Sequence, residues 1–315
     1  MLELSKRVLE DFKVRKSVKR KKEFLSFLAE GVKELGYEGY VDESRAFVKN
    51  RNFVVGDIEK ADIICTAHYD TCAVMPFPNF ITPLNLFICV LYQVLIALLI
   101  IVCAIMVQIG VYYLSNGMIN SLIITPIVIA FFCYMIMLGK ANKNNYNDNT
   151  SGVVSLLEIM GSLQSNKQRV AFVFFDNEEK GLLGSVSFAN KHKKIFTNKL
   201  IVNFDCVSDG DNILVLFNKY SKKDSELMKN FTNSFTLGGT KEVLAKTSAF
   251  YPSDQASFSK NKTIAVASLK YNRIFGYYMD RIHTGRDVIF DEGNIEMIKK
   301  ALVSYIETVT ESAAI

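Results

Sequence analysis

Between Thr71 and Gly139 the sequence holds no Asp, Glu, Lys, Arg or His, although 22% of its 315 residues are charged. So long a gap excludes an ordinary water-facing surface for that segment. Cys-x-x-Cys pairs are also missing, and the six cysteines, Cys65, Cys72, Cys89, Cys103, Cys133 and Cys206, read as reduced thiols in the core or facing lipid. The opening stretch MLELSKRVLEDFKVRKSVKRKK lacks the apolar core of a cleaved signal peptide, so export by that route is not expected. Net charge is only +5, and Lys and Arg are interleaved with Asp and Glu without the aromatic-basic spacing of nucleic-acid modules. No nucleic-acid partner is expected. What is present is 50% hydrophobic residues, enough for one large domain that carries an insertion.

The insertion lies inside the uncharged gap. Leu84 to Leu114 and Ile119 to Leu138 are apolar runs separated by Ser115-Asn116-Gly117, and a bilayer is crossed by about 20 such residues. A transmembrane helical hairpin over residues 80–139 is expected, splitting a domain made of residues 1–79 and 140–315. Buried core helices of a soluble protein are the competing reading, which the length of the run disfavours. The lipid bilayer is thus an expected partner, and the hairpin is a candidate surface for a homo-oligomer. Lys and Arg precede the hairpin, Lys140 and Lys143 follow it, and its turn is uncharged. A multi-pass protein of the cell membrane with both ends facing the cytosol is expected.

Elsewhere strands and helices alternate. Ser5 to Leu35 (within N-terminal helices 1–36) reads as one or two amphipathic helices, Ala46 to Ile58 as a hairpin turning at Asn50-Arg51-Asn52, and Ala61 to Ala67 as a strand. Further strands are expected at Val170 to Phe175, Leu200 to Phe204, Ile213 to Phe217 and Thr263 to Leu269. Helices are expected at Thr150 to Leu163, Leu182 to Lys191, Lys222 to Phe231 and Glu292 to Thr310. The pattern predicts an α/β fold, a mixed and mostly parallel sheet with helices on both faces, whose ligands collect at the carboxyl ends of strands.

Five segments place acidic or imidazole groups just past an apolar run or at a helix start: CTAHYDT, YNDNTSG, FFDNEEKGLLGS, VNFDCVSDGD and RIHTGRD. Only three histidines exist, and two of them, His68 and His283, fall in these segments. Alone, a strand-end His is usually a hydrogen-bonded structural residue and a following Asp a helix cap. Together, two His and three carboxylates suit a pair of metal ions sharing one carboxylate.

In their order and local spacing, these motifs, with YPSDQASF and Asp287 beyond IHT, resemble the cocatalytic dizinc aminopeptidase family. That family includes glutamate carboxypeptidase, the transferrin receptor ectodomain and, distantly, glutaminyl cyclase. The likeness runs from about Phe53 to the C-terminus, insertion excluded. It implies that two zinc ions are bound, His68 and Asp205 holding one, Glu179 and His283 the other, with Asp148 bridging. It further implies that Asp70 orients His68, that Glu178 is the general base acting on a zinc-bound water, and that Tyr251 supports the oxyanion. The chain departs from the pattern at Gln255, where relatives commonly carry His, and in the insertion. The expected function is a membrane-anchored zinc aminopeptidase acting on peptides, among them membrane-presented signal, leader or bacteriocin-like peptides. Alternatives are an endopeptidase or carboxypeptidase on the same platform, a catalytically inactive receptor, or a one-zinc glutaminyl-cyclase-like transferase. Cyclases build their pocket with tryptophan, and this chain has none.

Overall fold

The computed structural model describes residues 1–45, 47–117, 121–165 and 167–312. Its centre is a nine-stranded mixed sheet in the order β1-β2-β4-β3-β5-β8-β6-β7, with β9 paired to β8. The strands are β1 (Gly39–Arg45), β2 (Lys49–Val55), β3 (Ile63–His68), β4 (Val170–Phe175), β5 (Leu200–Phe204), β6 (Asn212–Phe217), β7 (Glu242–Lys246), β8 (Lys262–Asn272) and β9 (Gly276–Tyr278). Parallel pairing runs through the middle, β4 to β3, β3 to β5 and β5 to β8, and recurs between β6 and β7. The remaining pairs are antiparallel.

Period-two alternation decides which core each side chain enters. Cys65, Phe172, Phe174 and Val202 join the larger core, covered by α1 (Glu3–Asp11), α2 (Val18–Glu34), α5 (Gly152–Ser162), α7 (Ser225–Gly238) and α8 (Glu292–Ser312). Ile64, Val173, Phe175 and Ile201 point the other way, against Phe188 of α6 (Leu183–Lys191) and Phe258. Buried on both faces, the central strands are continuously apolar, as a covered parallel sheet requires.

Residues 80–139 contain α3 (Leu86–Leu114) and α4 (Ile124–Leu138). Among the described residues α3 alone is long and apolar enough to cross a membrane by length and composition. Fifteen residues of α4 rise about 22 Å, short of a hydrocarbon core of about 30 Å. The expected start of the second run, Ile119, lies outside the described residues, as does Ala46, the expected start of the first hairpin. Backbone flanking residues 80–139 pairs across that stretch. Val74 N donates to Lys140 O (2.9 Å), Asn142 N donates to Cys72 O (3.1 Å), and Ala73 bridges Ala141.

One expectation is overturned. The hairpin does not turn at Asn50-Arg51-Asn52; these residues lie inside β2, which pairs with the charged strand β1 from Arg45 and Lys49 outward. Asn50 and Asn52 are fully buried because their amides are structural. Asn52 donates to Gly184 O (3.1 Å) and accepts from Asp176 N (3.0 Å), and Asn50 Oδ1 accepts from Asn177 Nδ2 (2.8 Å). Strands β7 and β9 were not anticipated.

Candidate metal centre

The central parallel strands end in polar residues on one edge. His68 closes β3, Glu178 and Glu179 follow β4, Asp205 follows β5, Asp148 precedes α5, and His283 arrives on the loop after β9. His68 Nε2 lies 3.3 Å from Asp148 Oδ1, 3.5 Å from Asp205 Oδ1 and 4.0 Å from Glu178 Oε2. His283 Nε2 lies 2.9 Å from Asp148 Oδ2 and 3.4 Å from Glu179 Oε2. Asp148 therefore stands between two imidazoles, one oxygen toward each. His68, Asp148 and Asp205 present ligand atoms within 4.8 Å of one another, as do His68, Glu178 and Glu179.

Flanking amides fix the Asp148 turn. Asn147 Oδ1 accepts from Ser208 N (2.7 Å) and Asp209 N (3.0 Å), and Asn149 Nδ2 donates to Phe204 O (2.9 Å). The Asp287 carboxylate takes the backbone N–H groups of Asn147 (2.8 Å) and Asp148 (3.0 Å), one on each oxygen. Asn177, Cys206 and His283 all hold left-handed backbone conformations, uncommon outside glycine and each beside or at an acidic or imidazole group of the cluster.

The electrostatics are those of closely packed buried charge. Burial would lower His68, but the carboxylates of Glu178, Asp148 and Asp205 outweigh it and hold the imidazole well above its ordinary value. His283 rises to about 10 in the same way, Glu179 and Asp148 overcoming burial. Burial pushes Glu178 well up and Glu179 to about 8. Asp70 is the contrast: burial opposes its ionisation, yet Lys21 and His68 hold its carboxyl at about 2. Lys21, from α2, lies 2.5 Å from Asp176 and 3.7 Å from Asp70, almost fully buried.

Every acidic and imidazole residue expected at the site reaches it, some with partners of their own. His68 Nδ1 contacts the backbone carbonyl of Asp70 (3.1 Å), with the Asp70 carboxylate at 3.6 Å. That carboxylate accepts from Glu178 N (2.9 Å), tying the Glu178–Glu179 turn to β3. Tyr251 donates its hydroxyl to Asp205 O (3.0 Å). Gln255 donates to Tyr251 O (2.7 Å) and accepts from Asn203 (2.9 Å), a backing contact for β5.

Three further residues at the site carry little signal in the sequence. Asp254 is fully buried, and burial pushes its carboxyl up to about 7, while its charge acts on Glu178. Lys21 and Arg15 come from the N-terminal segment. Arg15 is also fully buried, with Nε on Tyr69 O (2.5 Å) and Nη2 on Thr150 Oγ1 (3.1 Å). Asp254 lay within YPSDQASF, where its place beside Gln255 was the only signal.

Do these residues suit divalent metal? Two imidazoles and several carboxylates converge, and Glu179 Oε1 is buried without a hydrogen-bond partner among the described residues. A buried orphaned oxygen on a carboxylate that joins a cluster of nitrogen and oxygen donors fits an ion. The class defined is thus a two-sided α/β domain with a metal-type centre at the carboxyl ends of its parallel strands. The sequence model of peptidase family M28 matches residues 139–306, just over half of the chain. The chain belongs to peptidase family M28, whose members are typically metal-dependent.

Solved structures share the fold. The chain is similar to the glutaminyl cyclase of Porphyromonas gingivalis (TM-score 0.64, 15% identity, 97% of this chain and 96% of that one). It is similar to a leucine aminopeptidase precursor of Bacteroides thetaiotaomicron (TM-score 0.57, 15% identity, 96% and 93%). It is likewise similar to the LapA aminopeptidase of Legionella pneumophila (TM-score 0.55, 15% identity, 97% and 68%). A comparison with curated protein sequences returns no match.

Proposed function

We propose that this M28 chain is a membrane-anchored aminopeptidase with two zinc ions. The observation that carries the reading is Asp148 directing one oxygen at His68 and the other at His283, each imidazole beside a further carboxylate. His68 and Asp205 would hold one ion, Glu179 and His283 the other, and Asp148 both. When bound, such ions supply Lewis acidity that polarises a carbonyl and acidifies a water.

The chain's own residues supply the rest. Glu178, held high by burial and 4.0 Å from His68 Nε2, takes a proton from the attacking water and delivers it to the leaving amine. Asp70 keeps Glu178 N and the His68 ring in place, and Lys21 keeps Asp70 ionised. Tyr251 serves the oxyanion once its hydroxyl turns from Asp205 O.

The bilayer is crossed by residues 80–139 as an insertion in the domain formed by 1–79 and 140–315, with both ends on the cytosolic side. The backbone pairing of Ala73 with Ala141 supports a return to the same side. Substrates are apolar peptides presented at the membrane. A cavity of 520 Å³ between the base of α3 and the β8–β9 hairpin supports this, lined by Phe80, Ile88, Leu91, Leu95 and Phe275, with Arg286 among its polar residues. Its wall residue Asn79 donates to Ile282 O (3.3 Å), the residue before His283.

Detergent-purified protein incubated with a mixed peptide library, with and without chelator, tests the reading. Chelator-sensitive ladders from amino termini are expected; cuts confined to chain interiors or carboxyl ends would overturn it. The overlap with glutaminyl cyclases favours a second reading, cyclisation of N-terminal Gln, which mass loss of ammonia from a Gln-initiated peptide would reveal.

A further inference from the structure

One thiol at this centre has no part in the reading above. Cys72 follows the His-x-Asp segment and is 2% exposed. Its Sγ, a His283 ring nitrogen and a Glu179 carboxylate oxygen lie within 4.8 Å of one another. The cysteine is not the only pointer to a ligand here. Among the described residues Glu179 Oε1 is buried without a hydrogen-bond partner, its side chain 6% exposed. The thiol's own contacts are weak, Sγ to Asn145 Oδ1 at 3.4 Å and Asn142 Nδ2 to Sγ at 3.8 Å. The Asn142 side chain is itself fixed by donating to Thr284 O (2.9 Å), next to His283.

We propose that Cys72 is a protein ligand of the ion held by Glu179 and His283, giving that half of the centre sulfur, nitrogen and oxygen donors. The proposal rests on the two-metal reading of the site. Coordination replaces the thiol proton by metal, and the proton leaves to solvent. With the shared Asp148, this half then has four protein donors, the number that closes a tetrahedral site. The His68 and Asp205 half, facing Glu178, keeps the open position. A soft sulfur donor also biases this half toward zinc or cobalt over manganese.

The second thiol nearby is an internal control. Cys206 Sγ sits 3.2 Å from Asp205 Oδ1 but joins no group of three ligand atoms among the described residues.

Full-length protein in detergent, stripped and reloaded with zinc, is measured by X-ray absorption at the zinc edge, with no substitution needed. One sulfur neighbour for every two zinc ions at about 2.3 Å is expected. A shell of nitrogen and oxygen alone, with two ions bound, overturns the assignment and leaves the two-metal reading standing; failure to take up zinc overturns both. Reloaded with cobalt, wild type and Cys206→Ser should show a thiolate-to-cobalt band in the near ultraviolet, absent from Cys72→Ser with both ions still bound. A band that survives in Cys72→Ser and vanishes in Cys206→Ser moves the sulfur to the other half and overturns the proposal.

Discussion

Strand β4 and helix α3 are written in nearly the same alphabet, VAFVFF against LFICVLYQVLIALLIIVCAIMVQIGVYYL, and meet opposite surroundings. Every β4 side chain is buried, whereas only Cys89 and Ala104 are buried in the 29 residues of α3. The difference lies in neighbours. Strand β4 has β2 and β3 on its edges and a core on each face; α3 has α4 along one side and little else. Leu91, Leu95, Leu98 and Leu99 are each about half exposed, and an apolar surface that long on a protein in water is rare. Under the membrane anchoring proposed above, lipid resolves the conflict. The same logic reversed governs the carboxyl end of β4, where buried charge is gathered and the proposed ions would balance it.

The widest separation between the two regions should come from the polar end. Replacing Glu178 with Gln should lower kcat/KM about a hundred- to ten-thousand-fold, with the melting temperature held, because the amide keeps the size and shape of the side chain. Peptide cleavage and a thermal melt on the same preparation check this, the melt reporting that the isosteric amide keeps the packing, and full activity would end the base assignment. A smaller effect is expected in α3. Leu98→Arg should disfavour insertion by about 2.5–3.5 kcal/mol if lipid surrounds the helix, read as loss of protein from the membrane fraction. In water the same exposed position would tolerate Arg within about 0.5 kcal/mol, and the comparison between β4 and α3 would lose its meaning.

The contrast also explains what was legible in the sequence. Strands β4 and β5 were placed residue for residue, because buried parallel strands are uninterrupted apolar runs bounded by polar residues. The histidines and acids stood out because each follows such a run or starts a helix. Edge strands were harder. Strand β1, GYVDESR, is largely exposed and reads as loop, so the hairpin begins earlier in the chain than its sequence suggests. Helix α7 was expected to start early, since its cap is Asp224, which accepts from Leu227 N (3.0 Å), and not the lysines before it. Buried polar residues were invisible for a physical reason. Lys21 looks like the solvated face of a charged helix, and only the fold shows it wedged between Asp176 and Asp70. Asp254 looks like a turn residue until Ser185, His68 and Asp205 are seen to surround it electrostatically.

Asp254 offers the smallest and most specific way to sharpen the comparison, because it concerns a single proton in the polar region. Its carboxyl is pushed up to about 7 by burial, against about 3.9 for an unfolded aspartate. Over that interval only the folded chain holds the proton, so stability is greatest at the acid end and falls as pH rises through 7. Asp287, raised to about 7, and Glu179, raised to about 8, both by burial, act with the same sign. The metal-stripped protein should therefore unfold more easily at about pH 8 than at about pH 6. One differentially bound proton is worth about 1.4 kcal/mol per pH unit. Asp254→Asn, which keeps the shape and cannot ionise, should thus lose about 1 kcal/mol less than wild type across that step. Denaturant melts of both stripped proteins at the two pH values measure the difference; equal slopes would mean that Asp254 holds no such proton, and that charge near Glu178 is balanced by the cations of the site alone.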